Sequence, residues 1–186
     1  LCIGHLGNFI EDHVKNIKHK YKFKIIFSKE KNKLGTGGAL INAYNKLPKN
    51  FVIMYGDSLL DINLDKLLKK YRINKYKYLI TVYQNKNRNY KNNILIKNKK
   101  IVKYSKKKSF NYIDYGVAIM NKSILEIFRK KNYNNDSNFD LSEITLYAIQ
   151  NNILNYSISK IKFQEIGSMY GIKLAERYIK KNILTK

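Results

Sequence analysis

Residues 34–64 read LGTGGALINAYNKLPKNFVIMYGDSLLDINL, and the order of features in this stretch decides the fold. It opens with a Gly-rich turn formed by Leu34, Gly35, Thr36, Gly37 and Gly38. Glycine carries no Cβ, tolerates positive φ and lets backbone approach a planar or anionic ligand. A helix over Ala39–Leu47 is expected next, ending at Pro48, and its first turn would offer unpaired N–H groups and a positive dipole end to an anion. A structural strand-to-helix turn explains the glycines equally well. The turn is not a Walker A loop, because no Lys-Ser/Thr pair follows the last glycine. Phe51–Tyr55 (FVIMY) is a continuous apolar run, as expected of a strand covered on both faces. It stops abruptly at Gly56-Asp57-Ser58, which puts polar groups at the carboxyl edge of the sheet, where open α/β sheets bind ligands. Asp57 there suits Mg²⁺, which is often held by one or two carboxylates plus substrate phosphates. It suits an Asx turn or a helix cap as well.

Short apolar runs and helix-period segments alternate on both sides of this stretch, the pattern of βαβ units. Upstream, Leu1–Gly4 reads as the end of a strand. A helix is expected over Asn8–Ile17, with Phe9, Ile10, Val14 and Ile17 on one face, and a strand over Lys22–Ser28 (KFKIIFS). Downstream come a helix (Asn63–Tyr71) and a strand (Tyr76–Tyr83). A hairpin follows within Asn92–Tyr104, turning at Lys97-Asn98-Lys99. Tyr112–Met120 is a strand with Gly116 inside it, which marks either a close backbone approach or a bulge. Helices over Ser123–Lys130 and Leu141–Gln150, a strand over Ile158–Ile166 and a closing helix over Met169–Lys180 complete the pattern. That last helix would turn Leu174, Ala175, Tyr178 and Ile179 inward. The fold class is α/β: a Rossmann-like, mainly parallel sheet flanked by helices, with an inserted antiparallel hairpin. No repeat or linker divides the chain, so residues 1–186 read as one domain.

The formal net charge of +24 invites a nucleic-acid-binding reading. The lysines, however, are spread along the whole chain and accompany an excess of Asn, Ile and Tyr. The densest run, Lys97–Lys108, is broken by Ile101, Val102 and Tyr104, as in a strand with one solvated face. A specific nucleic-acid partner is therefore not expected. No apolar run approaches the length of a membrane-spanning helix, and no signal peptide is recognised, so neither a membrane partner nor secretion is expected. Cys2 is the one cysteine. It points to a reducing, cytoplasmic setting and, within LCI, to a small core residue. His5, His13 and His19 lack metal-ligand spacing.

Taken together, Leu34–Leu64 resembles the central signature of the sugar-1-phosphate nucleotidyltransferases: LGTAGA, a helix, a hydrophobic strand ending in GD, then D-x-D/N-L. The resemblance extends over essentially the whole chain. Leu1–Ile10 is similar to the family's strand and helix "vigylgeqI". Lys103–Lys107 (KYSKK) occupies the place of "EKP", Tyr112–Met120 (YIDYGVAIM) resembles "iNaGiYv", and Gln164–Tyr178 (QEIGSMYGIKLAERY) resembles "DiGTpedyxxA". The IDYG variant looks closest to the heptose-1-phosphate guanylyltransferase-like branch.

The resemblance implies transfer of a nucleotidyl group from an NTP to a sugar 1-phosphate, with pyrophosphate leaving. By family position Leu34, Gly35, Thr36, Gly37 and Gly38 would line the base and ribose, with Gly56 at the nucleotide. Asp57 would be a catalytic Mg²⁺ ligand and Glu165 the second carboxylate on the metal. Lys106 would meet the sugar's phosphate. Asp114, Tyr115 and Gly116 would line the sugar pocket. Mg²⁺, an NTP and a sugar 1-phosphate are thus the implied cofactor and partners, and assembly into a homo-oligomer is common in similar proteins.

The family's opening strand and G-G-x-G-T-R loop have no counterpart. This implies a chain truncated before Leu1 and inactive alone. Glu165 stands where Asp is usual, Ser105 where Glu precedes the sugar-site lysine, and Gly167-Ser168 where GT is usual. Two other functions fit the same residues: a regulatory domain that binds a nucleotide-sugar without turnover, and a basic nucleic-acid-binding protein. A glycosyltransferase with a D-x-D motif does not fit, since Asp57-Ser58-Leu59 lacks the second acid.

Overall fold

The computed structural model describes residues 1–59, 61–86, 92–105, 110–132, 138–162 and 164–182. In chain order the elements begin with β1 (Cys2–Ile3), α1 (Gly7–Ile17), β2 (Ser28–Lys29), α2 (Gly35–Asn42), β3 (Asn50–Met54), β4 (Ser58–Leu59), α3 (Leu64–Ile73) and β5 (Tyr78–Tyr83). They continue with β6 (Ile94–Lys97), β7 (Lys100–Tyr104), β8 (Ile113–Asn121), α4 (Lys122–Asn132), α5 (Leu141–Gln150), β9 (Leu154–Ser159), β10 (Gln164–Glu165) and α6 (Met169–Asn182). Their contacts define two compact units, one of Leu1–Phe51 with Asn121–Tyr147, the other of Val52–Met120 with Ala148–Lys186.

In the first unit β1 and β2 pair in parallel, Cys2 opposite Ser28 and Ile3 opposite Lys29. The expected strand over Lys22–Ser28 is confined to its last residue. A strand persists only where its N–H and C=O groups find a partner, and β1 reaches no further than Ser28–Lys29. The apolar face expected of α1 is only partly covered: Val14 and Ile17 are half-buried, while Phe9 is 73% exposed and Ile10 is exposed as well. An ion pair between Lys29 Nζ and Glu11 Oε1, 2.6 Å, joins α1 to β2. Cys2 is likewise exposed rather than in the core. Its thiol lies 3.7 Å from the Ala39 carbonyl, and local burial raises its pKa.

The Gly-rich turn is itself the first turn of α2, not a loop ahead of it. Gly35 sits in the left-handed region at φ 70°. A Cβ on Gly37 would come within 2.4 Å of the Phe139 ring, so only glycine fits there. After α2 a single 3₁₀ turn, Tyr44–Lys46, leads to Pro48. Lys122 Nζ and the Arg129 guanidinium lie 4.2 Å and 4.6 Å from the centroid of the Tyr44 ring.

In the second unit the main sheet has the order β3-β8-β5-β9. β5 and β9 run parallel in unbroken register, from Tyr78 opposite Leu154 to Tyr83 opposite Ser159. β8 runs antiparallel to β5. The mainly parallel α/β core with flanking helices is thus present, with β8 reversed inside it. α3 starts where Asn63 Oδ1 accepts from the Lys66 N–H at 2.9 Å, an N-cap that satisfies one of the helix's orphan donors. Its Leu67 and Tyr71 pack on Leu79, Val117 and Ile119, one face of the sheet. β6 and β7 form the expected hairpin. Asn98 and Lys99 both take positive φ, 47° and 57°, as a two-residue hairpin turn requires.

Of the strand expected over Ile158–Ile166, only Ile158 and Ser159 lie in β9, which starts earlier at Leu154, and Gln164–Glu165 form the separate β10. Ser159 Oγ donates to the Ile161 carbonyl and accepts from the Ile161 N–H, both at 3.2 Å. That local bonding competes with the sheet ladder and ends β9. In α6, Ala175 is buried as expected, together with Gly171, while Leu174, Tyr178 and Ile179 are half-buried. Among the described residues no helix is long and apolar enough to cross a membrane.

Candidate active site

β3 ends at Met54, and the chain turns through Tyr55, Gly56 and Asp57 into β4. β4 pairs antiparallel with β10, Ser58 opposite Glu165 and Leu59 opposite Gln164. The Ile166 N–H donates to the Asp57 carbonyl at 2.8 Å, which fixes the Asp57 backbone against the β10 segment. This pairing brings together two carboxylates that lie more than a hundred residues apart in sequence. A Cβ on Gly167 would stand 3.0 Å from Glu165 Oε1 and 3.8 Å from Asp57 Oδ2, so both acids converge on the one residue that leaves the space open. Asp57 is exposed and Glu165 half-buried. Ser58 Oγ donates to Asp57 Oδ1 at 3.3 Å, and Ser168 Oγ donates to Glu165 Oε2 at 3.0 Å while accepting from the Gly171 N–H at 3.0 Å. Two outward oxygens from two acids, with open space between them, are a donor set suited to Mg²⁺, which keeps several waters and takes few protein ligands.

Gly116 adjoins this turn. At φ 81° it is in the left-handed region, and a Cβ there would lie 3.1 Å from the Tyr55 ring and 3.3 Å from Ser58 Oγ. Its carbonyl accepts from the Tyr55 N–H at 3.0 Å. The reason for this backbone is a register shift: Ile80 faces Ala118 and Val82 faces Asp114, so β8 bulges between them. The Gly116 N–H donates to Asp114 Oδ1 at 3.0 Å, and Asp114 Oδ2 accepts from the Tyr104 hydroxyl at 3.0 Å. Burial, then Asp114's charge, holds the Tyr104 phenol far above its ordinary pKa. Asp114 is thus tied to the hairpin and to the bulge. Tyr115 is fully buried in a cluster with Ile113.

The Gly-rich turn belongs to the first unit. Its N–H groups are not all open to an anion: Gly37 and Gly38 both donate to the Phe139 carbonyl, at 3.0 Å and 3.3 Å. The Leu141 N–H donates to Thr36 Oγ1 at 2.9 Å. The glycines therefore hold this turn against residues 139–141, and the unpaired N–H groups expected from sequence are reduced accordingly. Lys106 lies outside the described residues. Among those residues no cluster of three His, Cys, Asp or Glu side chains could hold a metal, so the acids at Gly167 are a pair.

Sequence reasoning missed two features. Gly171 is buried in α6, and a Cβ there would come within 2.3 Å of the Glu165 carbonyl. A glycine inside a helical pattern was the available signal for so close an approach. The second is the bond from the Tyr178 hydroxyl of α6 to Asp61 Oδ2, 2.5 Å. That bond, followed by burial and Asp61's charge, pushes the Tyr178 pKa up to about 12. Because the folded state holds this proton more tightly, the stabilisation is complete below the ordinary tyrosine pKa of 10.0 and is lost as pH rises toward 12. Urea denaturation at stepped pH should show a decline over that window that is shallower in Tyr178→Phe.

No protein-family profile matches the chain, and no curated protein does. Solved structures do match. A chain from Bacillus anthracis assigned as a glucose-1-phosphate thymidylyltransferase, solved with sucrose, gives a TM-score of 0.79 at 12% identity, over 90% of this chain and 71% of that one. HddC from Yersinia pseudotuberculosis, complexed with GMP-PN, gives 0.73 at 21% identity, over 96% and 77%. The inositol-1-phosphate CTP transferase from T. maritima gives 0.72 at 18% identity, over 92% and 74%. The fold is the α/β fold that these nucleotidyltransferases share.

Proposed function

We propose that this chain carries nucleotide-, metal- and sugar-binding residues of a sugar-1-phosphate nucleotidyltransferase. The observation that carries the reading is the convergence of Asp57 and Glu165 on Gly167, in a fold shared with nucleotidyltransferases. In-line attack of a sugar-phosphate oxygen on the α-phosphorus of an NTP needs positioning and charge neutralisation more than covalent chemistry. Asp57 and Glu165 would hold Mg²⁺. The ion would neutralise charge on the two reacting phosphates. Lys106 would meet the sugar's phosphate. Asp114 is positioned by Tyr104 and by the Gly116 N–H. It and the Gly116 backbone would border the sugar, and Gly56 would border the nucleotide. Glu165 carries one methylene more than the Asp usual in similar proteins, and Ser168 restrains that longer arm. A heptose 1-phosphate and GTP are the first pair to try, on the likeness of Tyr112–Met120 to that branch and on the guanine nucleotide bound by HddC.

The test is pyrophosphate release by the protein expressed with its complete reading frame, offered a panel of NTPs and sugar 1-phosphates. Release with one pair, abolished by EDTA and restored by Mg²⁺, is the expected result. Binding of a nucleotide-sugar without release for any pair would overturn the transferase reading in favour of a regulatory domain of the same fold.

A further inference from the structure

Apart from the carboxylate pair, the second unit holds a cavity of about 390 Å³ between α3 and the β5–β9 margin of the sheet. Lys66 and Lys70 of α3, Lys160 beyond β9, Thr81 of β5, Leu67 and Ile158 are among its lining residues. None of these residues is part of the Asp57–Glu165 site.

Thr81 makes this cavity more than a basic dent in a basic protein. It is 1% exposed, and its hydroxyl oxygen has no hydrogen-bond partner among the described residues. A buried hydroxyl without a partner is costly and uncommon, and it calls for a specific explanation. Its strand position supplies one. Thr81 lies between Ile80 and Val82, opposite the bulge of β8. As a β5 residue two places from Leu79, it shares the face on which α3 packs. The hydroxyl is therefore on the α3 side of the sheet, at the inner wall of the cavity. At the rim, Lys66 and Lys160 are exposed, while Lys70 Nζ donates to the Tyr156 carbonyl at 3.0 Å and is held in place. Leu67 and Ile158 give the walls apolar surface, which suits a carbon body better than a fully hydrated ion.

We propose that this cavity binds a small organic phosphate, its phosphate group at Lys66 and Lys160 and an inner oxygen bonded to the Thr81 hydroxyl. The site is separate from the carboxylate pair and needs no metal.

The experiment is a titration of the protein with glucose 1-phosphate in EDTA, which silences metal-dependent binding at Asp57 and Glu165. Methyl resonances of Thr81 and Ile158 report occupancy. Both should shift saturably. Thr81→Val keeps the side chain's shape and removes only the hydroxyl. It should weaken binding about fivefold to tenfold, the size of one hydrogen bond. The double variant Lys66→Ala, Lys160→Ala should weaken it at least as much and flatten its salt dependence. Asp57→Asn should bind as the parent does. Unshifted methyls, or parental affinity in both the Thr81 and the lysine variants, would overturn the proposal. So would loss of binding in Asp57→Asn, which would put the ligand at the carboxylates. Inorganic phosphate binding as tightly as glucose 1-phosphate would reduce the cavity to a lysine-rich surface and overturn the assignment of an organic ligand.

Discussion

Asp57→Asn should keep the fold and lose nucleotidyl transfer by roughly a hundred- to a thousandfold, equivalent to about 3–4 kcal/mol of transition-state stabilisation. The fold should survive because the Asp57 backbone, not its side chain, holds the β10 segment through the Ile166 N–H. Among the described residues the carboxylate accepts from its neighbour Ser58, at 3.3 Å, and an amide oxygen can do the same. What the substitution removes is one of two negative charges facing the space at Gly167. Binding of Mn²⁺, read by electron paramagnetic resonance, should weaken in parallel with pyrophosphate release. An Asp57→Asn protein with near-parental activity and metal affinity would remove Asp57 from the proposed metal site and leave Glu165 without its partner.

Gly171→Ala should be the most damaging single methyl in the second unit. In an exposed helix interior the same exchange stabilises by about 1 kcal/mol, because alanine loses less backbone entropy. Here the new Cβ would stand 2.3 Å from the Glu165 carbonyl oxygen and 2.6 Å from Glu165 Oε2. The first of these is backbone of a paired strand and cannot swing aside, so steric cost outweighs propensity. Overpacking of this kind costs about 1–3 kcal/mol. Urea denaturation should show a loss of that size, accompanied by weaker Mn²⁺ binding because the Glu165 side chain must move. A loss of stability with unchanged metal affinity would show that α6 shifts while the carboxylate stays, and would separate the packing role of Gly171 from the proposed metal site.

Much of the fold was legible because hydrophobic period and turn chemistry are local. The hairpin turn at Asn98-Lys99, the helices over 64–73 and 141–150 and the strand over 78–83 all follow from patterns a few residues long. The failures have a common cause. KFKIIFS has the composition of a strand, yet pairing is a property of two segments, and only Ser28–Lys29 meets β1. Ile158–Ile166 looked continuous because the Ser159 hydroxyl's bond to Ile161 leaves no trace in an apolar pattern. In the candidate site, the carboxyl-edge position of Asp57 was readable from the abrupt end of FVIMY. Its meeting with Glu165 was not derivable from spacing; only the family resemblance implied it, and the β4–β10 pairing accounts for it physically. Asp114 and Tyr115 are neighbours in sequence, yet Asp114 is bonded to Tyr104 while Tyr115 is buried beside Ile113, a difference that an apolar run does not show.

The bulge in β8 sets a rule of parity. From Asp114 to Ala118 the strand spans two residues more than its partner does from Ile80 to Val82. The surplus is even, so Ile113 and Tyr115 keep the orientation of Val117 and Ile119, and Ile62 can pack against both groups. Natural variation in the length of this segment should therefore come in pairs. Loss of one residue would exchange the two faces of the strand on one side of the bulge, carrying Tyr115 away from Ile113 and Asp114 away from Tyr104. Loss of two would only straighten the strand.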